Sequence, residues 1–118
     1  MAAFEGVDYY ALDGLLSDEQ KLVRATVREF VSDKILPVID EHQREGTFPV
    51  EALPVMADMG LLGANLEGYG LPGLDNISYG LILQELERGD SGLRSFVSVQ
   101  GALCMYPIWR YGSEAQKQ

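Results

Sequence analysis

The stretch 15–46 constrains the fold of this chain more than any other segment. Ser17 is followed three residues later by Gln20, which is the capping-box pattern of a helix start. Pro37 interrupts the stretch, but the apolar pattern continues beyond it, so we predict one long amphipathic helix that Pro37 kinks and Gly46 ends. Its apolar residues recur at steps of three and four: Val23, Val27, Phe30, Val31, Ile35 and Val38.

Further helices are predicted along the rest of the chain. A short helix lies within 49–63, a third is capped by Asp75 or Asn76, and a fourth begins at Asp90 or Ser91. Strand-like alternation does not compete with this pattern, so we predict an all-α fold, an up-and-down bundle of four to five helices. The residues expected to be buried in the third helix are Ile77, Leu81, Ile82 and Leu86.

Composition excludes several classes of function. Nine basic and eighteen acidic residues give a net charge of -9, the wrong sign for binding nucleic acid or an anionic membrane surface. One cysteine, Cys104, and one histidine, His42, allow neither an internal disulfide nor a Cys/His metal site, and we expect Cys104 to be buried. No secretory, transit or membrane-spanning pattern is evident, so we expect a cytoplasmic protein.

The segment ELERGDSGLRSFVSVQ, residues 85–100, carries the strongest candidate site. Arg94 lies near the predicted N-terminus of the fourth helix, where exposed amide groups already favour an anion. Arginine in that position suits a carboxylate or a phosphate. If this helix is a regular α-helix, Arg94 shares one face with small and unbranched residues: Ser95, Ser98, Ala102 and Met105.

Two other interpretations of this segment remain open. An arginine in a first turn is often solvated or paired with a nearby acid, and Glu85, Glu87 and Asp90 are all available to Arg94. Small residues along a helix face also commonly form a packing surface for another helix. The residues alone do not decide between these roles and a ligand site.

The strings YGLILQELERGDSGLRSFVSVQ and MYPIWRYGSEAQK resemble the N-terminal helical domain of the acyl-CoA dehydrogenases, and within them the glutaryl-CoA dehydrogenase group. The resemblance implies an N-terminal extension at 1–16 and the helical domain at 17–118. It also implies a middle β-domain and a C-terminal helical domain, which are absent from this chain. Because the chain stops just after a new helix begins, we expect it to be a piece of a longer protein.

The resemblance further implies an FAD enzyme that oxidises an acyl-CoA between its α and β carbons and passes electrons to an electron-transfer flavoprotein. Members of the glutaryl group then decarboxylate the product to crotonyl-CoA, and a homotetramer is expected from the family. The catalytic base and most FAD contacts come from the absent domains, so this chain alone is not expected to bind FAD. The substrate-binding residues that the resemblance implies are Arg94 for the distal carboxylate, Ser95, Ser98 and Val99 along the acyl pocket, and Glu87 near the same end.

Two alternative functions accompany this expectation. One is dehydrogenation of a different short-chain acyl-CoA within the same family. The other is a stand-alone helical interaction module that has lost catalysis.

Overall fold

A computed structural model describes residues 6–118 of the chain. It is dominated by helices, so the prediction of an all-α bundle is confirmed. A short antiparallel hairpin pairs Glu67–Gly68 with Leu71–Pro72 and was not predicted, because its turn is made by positive φ angles at Gly68, Tyr69 and Gly70 and not by alternating apolar residues. The α-helices are α1 (Asp18–Phe30), α2 (Leu36–Glu45), α3 (Ala52–Asp58), α4 (Asn76–Gly89), α5 (Ser91–Ser98), α6 (Tyr106–Tyr111) and α7 (Glu114–Lys117), and the hairpin strands are β1 (Glu67–Gly68) and β2 (Leu71–Pro72).

The long N-terminal helix forms as predicted. Gln20 donates its backbone N–H to Oγ of Ser17 at 3.2 Å, and Ser17 donates its own N–H to Oε1 of Gln20 at 2.9 Å, which completes the capping box. The helix continues through Pro37 and ends at Gly46, which takes the left-handed conformation with φ of 66°.

A π-helical segment, Val31–Ile35, joins α1 to α2. The backbone N–H of Leu36 donates to the carbonyl of Val31, five residues earlier, and this wider turn accommodates the ring of Pro37 that follows it. The extra residue in the turn shifts the buried face by one position. Ile39 is therefore in the core at 7% exposure, and the prediction that Val38 continues the buried row was wrong by one residue.

A second π-helical segment, Val99–Met105, joins α5 to α6 and again precedes a proline, Pro107. Tyr106 donates its N–H to the carbonyl of Gly101, five residues earlier. The buried row of α5 consequently continues to Gly101, whereas Cys104 is exposed. The expectation of a buried Cys104 was wrong because it relied on apolar neighbours in the sequence, and one of them, Leu103, is itself exposed.

The hydrophobic core lies mainly between α1, the first π-helical segment, α4 and α5. Leu81, Ile82 and Leu86 are buried as predicted, but Ile77 is 55% exposed. Asp75 caps α4 by accepting the backbone N–H of Ser78 at 2.7 Å, and Ser78 takes the buried position in this first turn. The least exposed apolar side chains include Val27, Val31, Ile35, Met56, Ala64, Ile82, Leu86, Leu93 and Val97.

A buried cluster of charged side chains joins α1 to α4. Glu85 is 1% exposed and accepts hydrogen bonds from Nε and Nη2 of Arg28, at 3.1 and 2.7 Å, and from Nε of Arg88 at 3.0 Å. Arg88 also donates to Oγ of Ser32 at 3.0 Å and to the backbone carbonyl of Arg28 at 3.1 Å. Both oxygens of the carboxylate therefore accept hydrogen bonds from a cationic donor, which is the arrangement that makes a buried charge tolerable.

Candidate functional site

The candidate site lies where α4 turns into α5. Asp90 has extended backbone angles, and its carboxylate accepts the backbone N–H of Leu93 at 2.8 Å, so Asp90 and not Ser91 caps α5. Gln43 on α2 donates to the other carboxylate oxygen of Asp90 at 2.5 Å. This corner brings the last turn of α4 against the first turn of α5.

Arg94 and Glu87 form an ion pair across this corner. Nε of Arg94 donates to Oε2 of Glu87 at 2.6 Å, and the two side chains are 34% and 46% exposed. Ser91 donates its hydroxyl to the other oxygen, Oε1, at 2.7 Å. The hydrogen bonds from Arg94 and Ser91 hold the pKa of the Glu87 carboxyl below its usual range, so Glu87 is an anion at neutral pH.

Ser98 and Ser95 lie along the same side of α5. Nη1 of Arg94 approaches Oγ of Ser98 at 3.4 Å, and Ser98 donates its hydroxyl to the backbone carbonyl of Ser95 at 3.1 Å. Val99 follows them with 45% of its surface exposed. Of the five residues named from the sequence, the structure joins Arg94, Glu87 and Ser98 by hydrogen bonds, and it places Ser95 and Val99 beside them along the chain.

The guanidinium of Arg94 keeps donors for a ligand. Its Nε is committed to Glu87 and its contact with Ser98 is long, and within residues 6–118 Nη2 makes no hydrogen bond. The two Nη groups form one edge of the planar guanidinium, and that edge matches the two oxygens of a carboxylate. Chemically, the arrangement can bind an anion.

Neither of two cavities among the described residues is suited to a dinucleotide. One of about 240 Å³ lies between the hairpin and α6, and its walls are mainly apolar, including Leu66, Met105 and Trp109. A larger one of about 630 Å³ contains Arg24 and Arg28, but both guanidinium groups are engaged with carboxylates. Among residues 6–118, no group of His, Cys, Asp and Glu could hold a metal ion, and no helix has the length and apolarity needed to cross a bilayer.

A family model for the acyl-CoA dehydrogenase N-terminal domain matches residues 17–118, so the chain belongs to the acyl-CoA dehydrogenase family. A glutaryl-CoA dehydrogenase from Mycobacterium smegmatis in complex with FADH2 is similar in structure, with a TM-score of 0.89 and 46% identity over 92% of this chain and 28% of that one. Butyryl-CoA dehydrogenase from Megasphaera elsdenii gives a TM-score of 0.79 and 31% identity over 94% of this chain and 29% of that one.

A curated relative, glutaryl-CoA dehydrogenase from Desulfococcus multivorans, is 36% identical over 111 residues, or 91% of this chain and 28% of its own length. The chain therefore spans between a quarter and a third of the length of the relatives that it matches. These relatives act on different acyl-CoA esters by name, so family membership alone leaves the substrate open.

Sequence reasoning considered Ser91 only as a candidate helix cap and did not single out Gln43. Ser91 lies four residues after Glu87, a spacing that suggests contact along a helix, although here the contact crosses the helix break at Asp90. Gln43 is 47 residues from Asp90 in the chain, and a contact of that range leaves no local signal in the sequence.

Proposed function

We propose that this chain is the N-terminal helical domain of an FAD-dependent glutaryl-CoA dehydrogenase, which oxidises glutaryl-CoA and decarboxylates the product to crotonyl-CoA. The domain is residues 17–118 and is preceded by an extension at 1–16. The observation that carries the proposal is the guanidinium of Arg94, which is oriented by Glu87 and still has its Nη edge available. The 46% identity to a glutaryl-CoA dehydrogenase of known structure supports the same substrate.

In this proposal the Nη edge of Arg94 binds the distal carboxylate of the substrate. The hydroxyl of Ser98, which here donates to the carbonyl of Ser95, turns to donate a further hydrogen bond to that carboxylate. Ser95 and Val99 line the acyl chain, and Glu87 orients the arginine. Glu87 neutralises much of the charge on Arg94. The binding energy of the substrate carboxylate therefore depends on the geometry of the two Nη groups as well as on net charge. The pocket must also be closed by segments outside this chain, since the pair is partly exposed here.

The remaining parts of the reaction belong to the full-length protein. When bound, FAD accepts the hydride from the β carbon; no residue of this chain is assigned to it, since neither described cavity suits a dinucleotide. The catalytic base, the electron-transfer flavoprotein as electron acceptor, a homotetrameric assembly and a cytoplasmic location are likewise proposed from the family and not from contacts in this domain.

A second candidate is a dehydrogenase for a short acyl-CoA that has no distal carboxylate. It is favoured by the similarity to butyryl-CoA dehydrogenase and by the Arg94–Glu87 pair itself, which could serve only to hold α5 against α4. A non-catalytic helical module remains a third candidate. Dehydrogenase activity in the full-length protein would exclude it.

Replacing Arg94 with Met in the full-length enzyme tests the proposal. Loss of the guanidinium leaves the substrate carboxylate desolvated and unpaired, which should cost about 2 kcal/mol or more, or roughly a thirtyfold fall in kcat/KM for glutaryl-CoA. Butyryl-CoA lacks that carboxylate, so its kcat/KM should stay level or rise. Steady-state kinetics with both substrates measure the change.

Arg44→Met is the matched control, because Arg44 is an exposed arginine near the end of α2 that makes no ion pair within residues 6–118. It should leave kcat/KM for both substrates unchanged. Equal losses for glutaryl-CoA and butyryl-CoA in Arg94→Met, accompanied by a lower melting temperature, would instead show that Arg94 only holds the helices together.

A further inference from the structure

Ser91 occupies the first position of α5 and lies between the two members of the Arg94–Glu87 pair. Its hydroxyl donates to Oε1 of Glu87 at 2.7 Å, while Nε of Arg94 donates to Oε2 of the same carboxylate at 2.6 Å. Each oxygen of Glu87 therefore has a different donor. The carboxylate is held in one orientation although it is 46% exposed.

The presence of a different donor on each oxygen of Glu87 matters because arginine and a carboxylate tend to pair through two parallel hydrogen bonds. Such a bidentate pair between Arg94 and Glu87 would engage Nε and one Nη group together. It would remove part of the edge that a ligand carboxylate needs. In this structure Ser91 donates to Oε1 and Nε of Arg94 donates to Oε2, and neither Nη group of Arg94 makes a hydrogen bond to Glu87.

We infer that Ser91 is a positioning residue that sets substrate specificity: its hydrogen bond to Glu87 keeps the Nη edge of Arg94 available for the distal carboxylate of a dicarboxylic acyl-CoA. This inference rests on the proposed function. Ser91 does not touch the substrate and acts through Glu87. Its effect is therefore confined to substrates that carry the carboxylate.

The test is Ser91→Ala in the full-length enzyme, assayed with glutaryl-CoA and butyryl-CoA. KM for glutaryl-CoA should rise about three- to tenfold with little change in kcat, because the lost interaction favours bound substrate and transition state alike. KM for butyryl-CoA should not change. Ser91→Thr keeps a hydroxyl and should restore KM for glutaryl-CoA to within about twofold of the original value.

Ser17→Ala is the control for a purely structural effect. It also removes a hydroxyl at a helix start, and it should lower the melting temperature without changing the ratio of the two KM values. Ser91→Ala should behave in the opposite way, since alanine is well tolerated inside a helix and Asp90 provides the cap.

The outcomes for Ser91 and for the proposed function are separable. If Arg94→Met abolishes the preference for glutaryl-CoA but Ser91→Ala leaves both KM values unchanged or raises them equally, the role of Ser91 is wrong and the proposed function stands. If Arg94→Met affects both substrates equally, the proposed function itself fails. A selective effect in Ser91→Ala that Ser91→Thr does not restore would also overturn the inference, because it would not depend on the hydroxyl.

Discussion

Replacing Glu85 with Gln should destabilise the domain more than any change to its exposed ion pairs. The carboxylate is 1% exposed and accepts three hydrogen bonds from Arg28 and Arg88, whose side chains are 34% and 17% exposed. Breaking a fully buried pair costs about 3 to 5 kcal/mol. Water reaches both arginines in part, and Gln keeps one acceptor, so we expect a loss of about 2 to 3 kcal/mol in the free energy of unfolding.

Urea unfolding of the 1–118 chain, followed by far-ultraviolet circular dichroism, measures this loss. Asp13→Asn is the matched control, because Asp13 pairs with Arg24 at 2.6 Å but is 55% exposed. An exposed pair of this kind is screened by water and contributes much less than a buried one. If the two variants lose the same free energy within about 0.5 kcal/mol, the idea that burial makes the Glu85 cluster important is wrong.

The same cluster gives the stability a defined pH dependence. Burial opposes ionisation of Glu85, but hydrogen bonds from Arg28 and Arg88 outweigh it and lower its pKa below the ordinary value of 4.5. A lowered pKa in the folded state stabilises the protein above the unfolded pKa, and that contribution is lost as the pH falls through the folded pKa. The stability difference between the original chain and Glu85→Gln should therefore shrink on acidification from about pH 5 to pH 3.

Two further predictions concern helix packing and the flavin. A Cβ at Gly89 would lie 2.8 Å from Cγ1 of Val31 and 3.3 Å from Cγ2 of Ile35, so Gly89→Ala should cost about 1 to 3 kcal/mol. Gly80→Ala, in the same helix but with open space at its Cβ, should instead stabilise by about 0.5 to 1 kcal/mol, and thermal unfolding compares the two. The purified 1–118 chain should be helical by circular dichroism and show no flavin absorbance, and co-purified yellow flavin would contradict the view that FAD is held by other domains.

Local signals in the sequence predicted the helix boundaries well, because the boundaries depend on nearby residues. Ser17 and Gln20 form their capping box, and Gly46 ends the long helix, as expected from residue type and spacing. Asp90 was one of two caps considered for α5, and the structure selects it. Each of these features depends on hydrogen bonds that span five residues or fewer.

The sequence did not predict where the helical period changes. Steps of three and four residues describe an α-helix, and extending them through the first π-helical segment misplaced Val38. The prediction of the candidate site was less affected, because Arg94 and Ser98 both precede the second π-helical segment. The Glu85 cluster was also missed, since its partner Arg28 lies 57 residues away and an acid inside an apolar stripe does not reveal its partner.

The first π-helical segment has a consequence for how insertions and deletions act in this domain. Removing one residue from Val31–Ile35 would let this wide turn close as a regular α-turn, with little rotation of the residues that follow. Each residue of an α-helix advances the chain by about 100° around the helix axis, so removing one residue of α2 before Gln43 would instead rotate everything after it by about that angle. Gln43 would then point away from Asp90, the residue that caps α5. A single deletion far from Arg94 in sequence would thus change the contacts that hold the start of α5, without altering any residue beside Arg94.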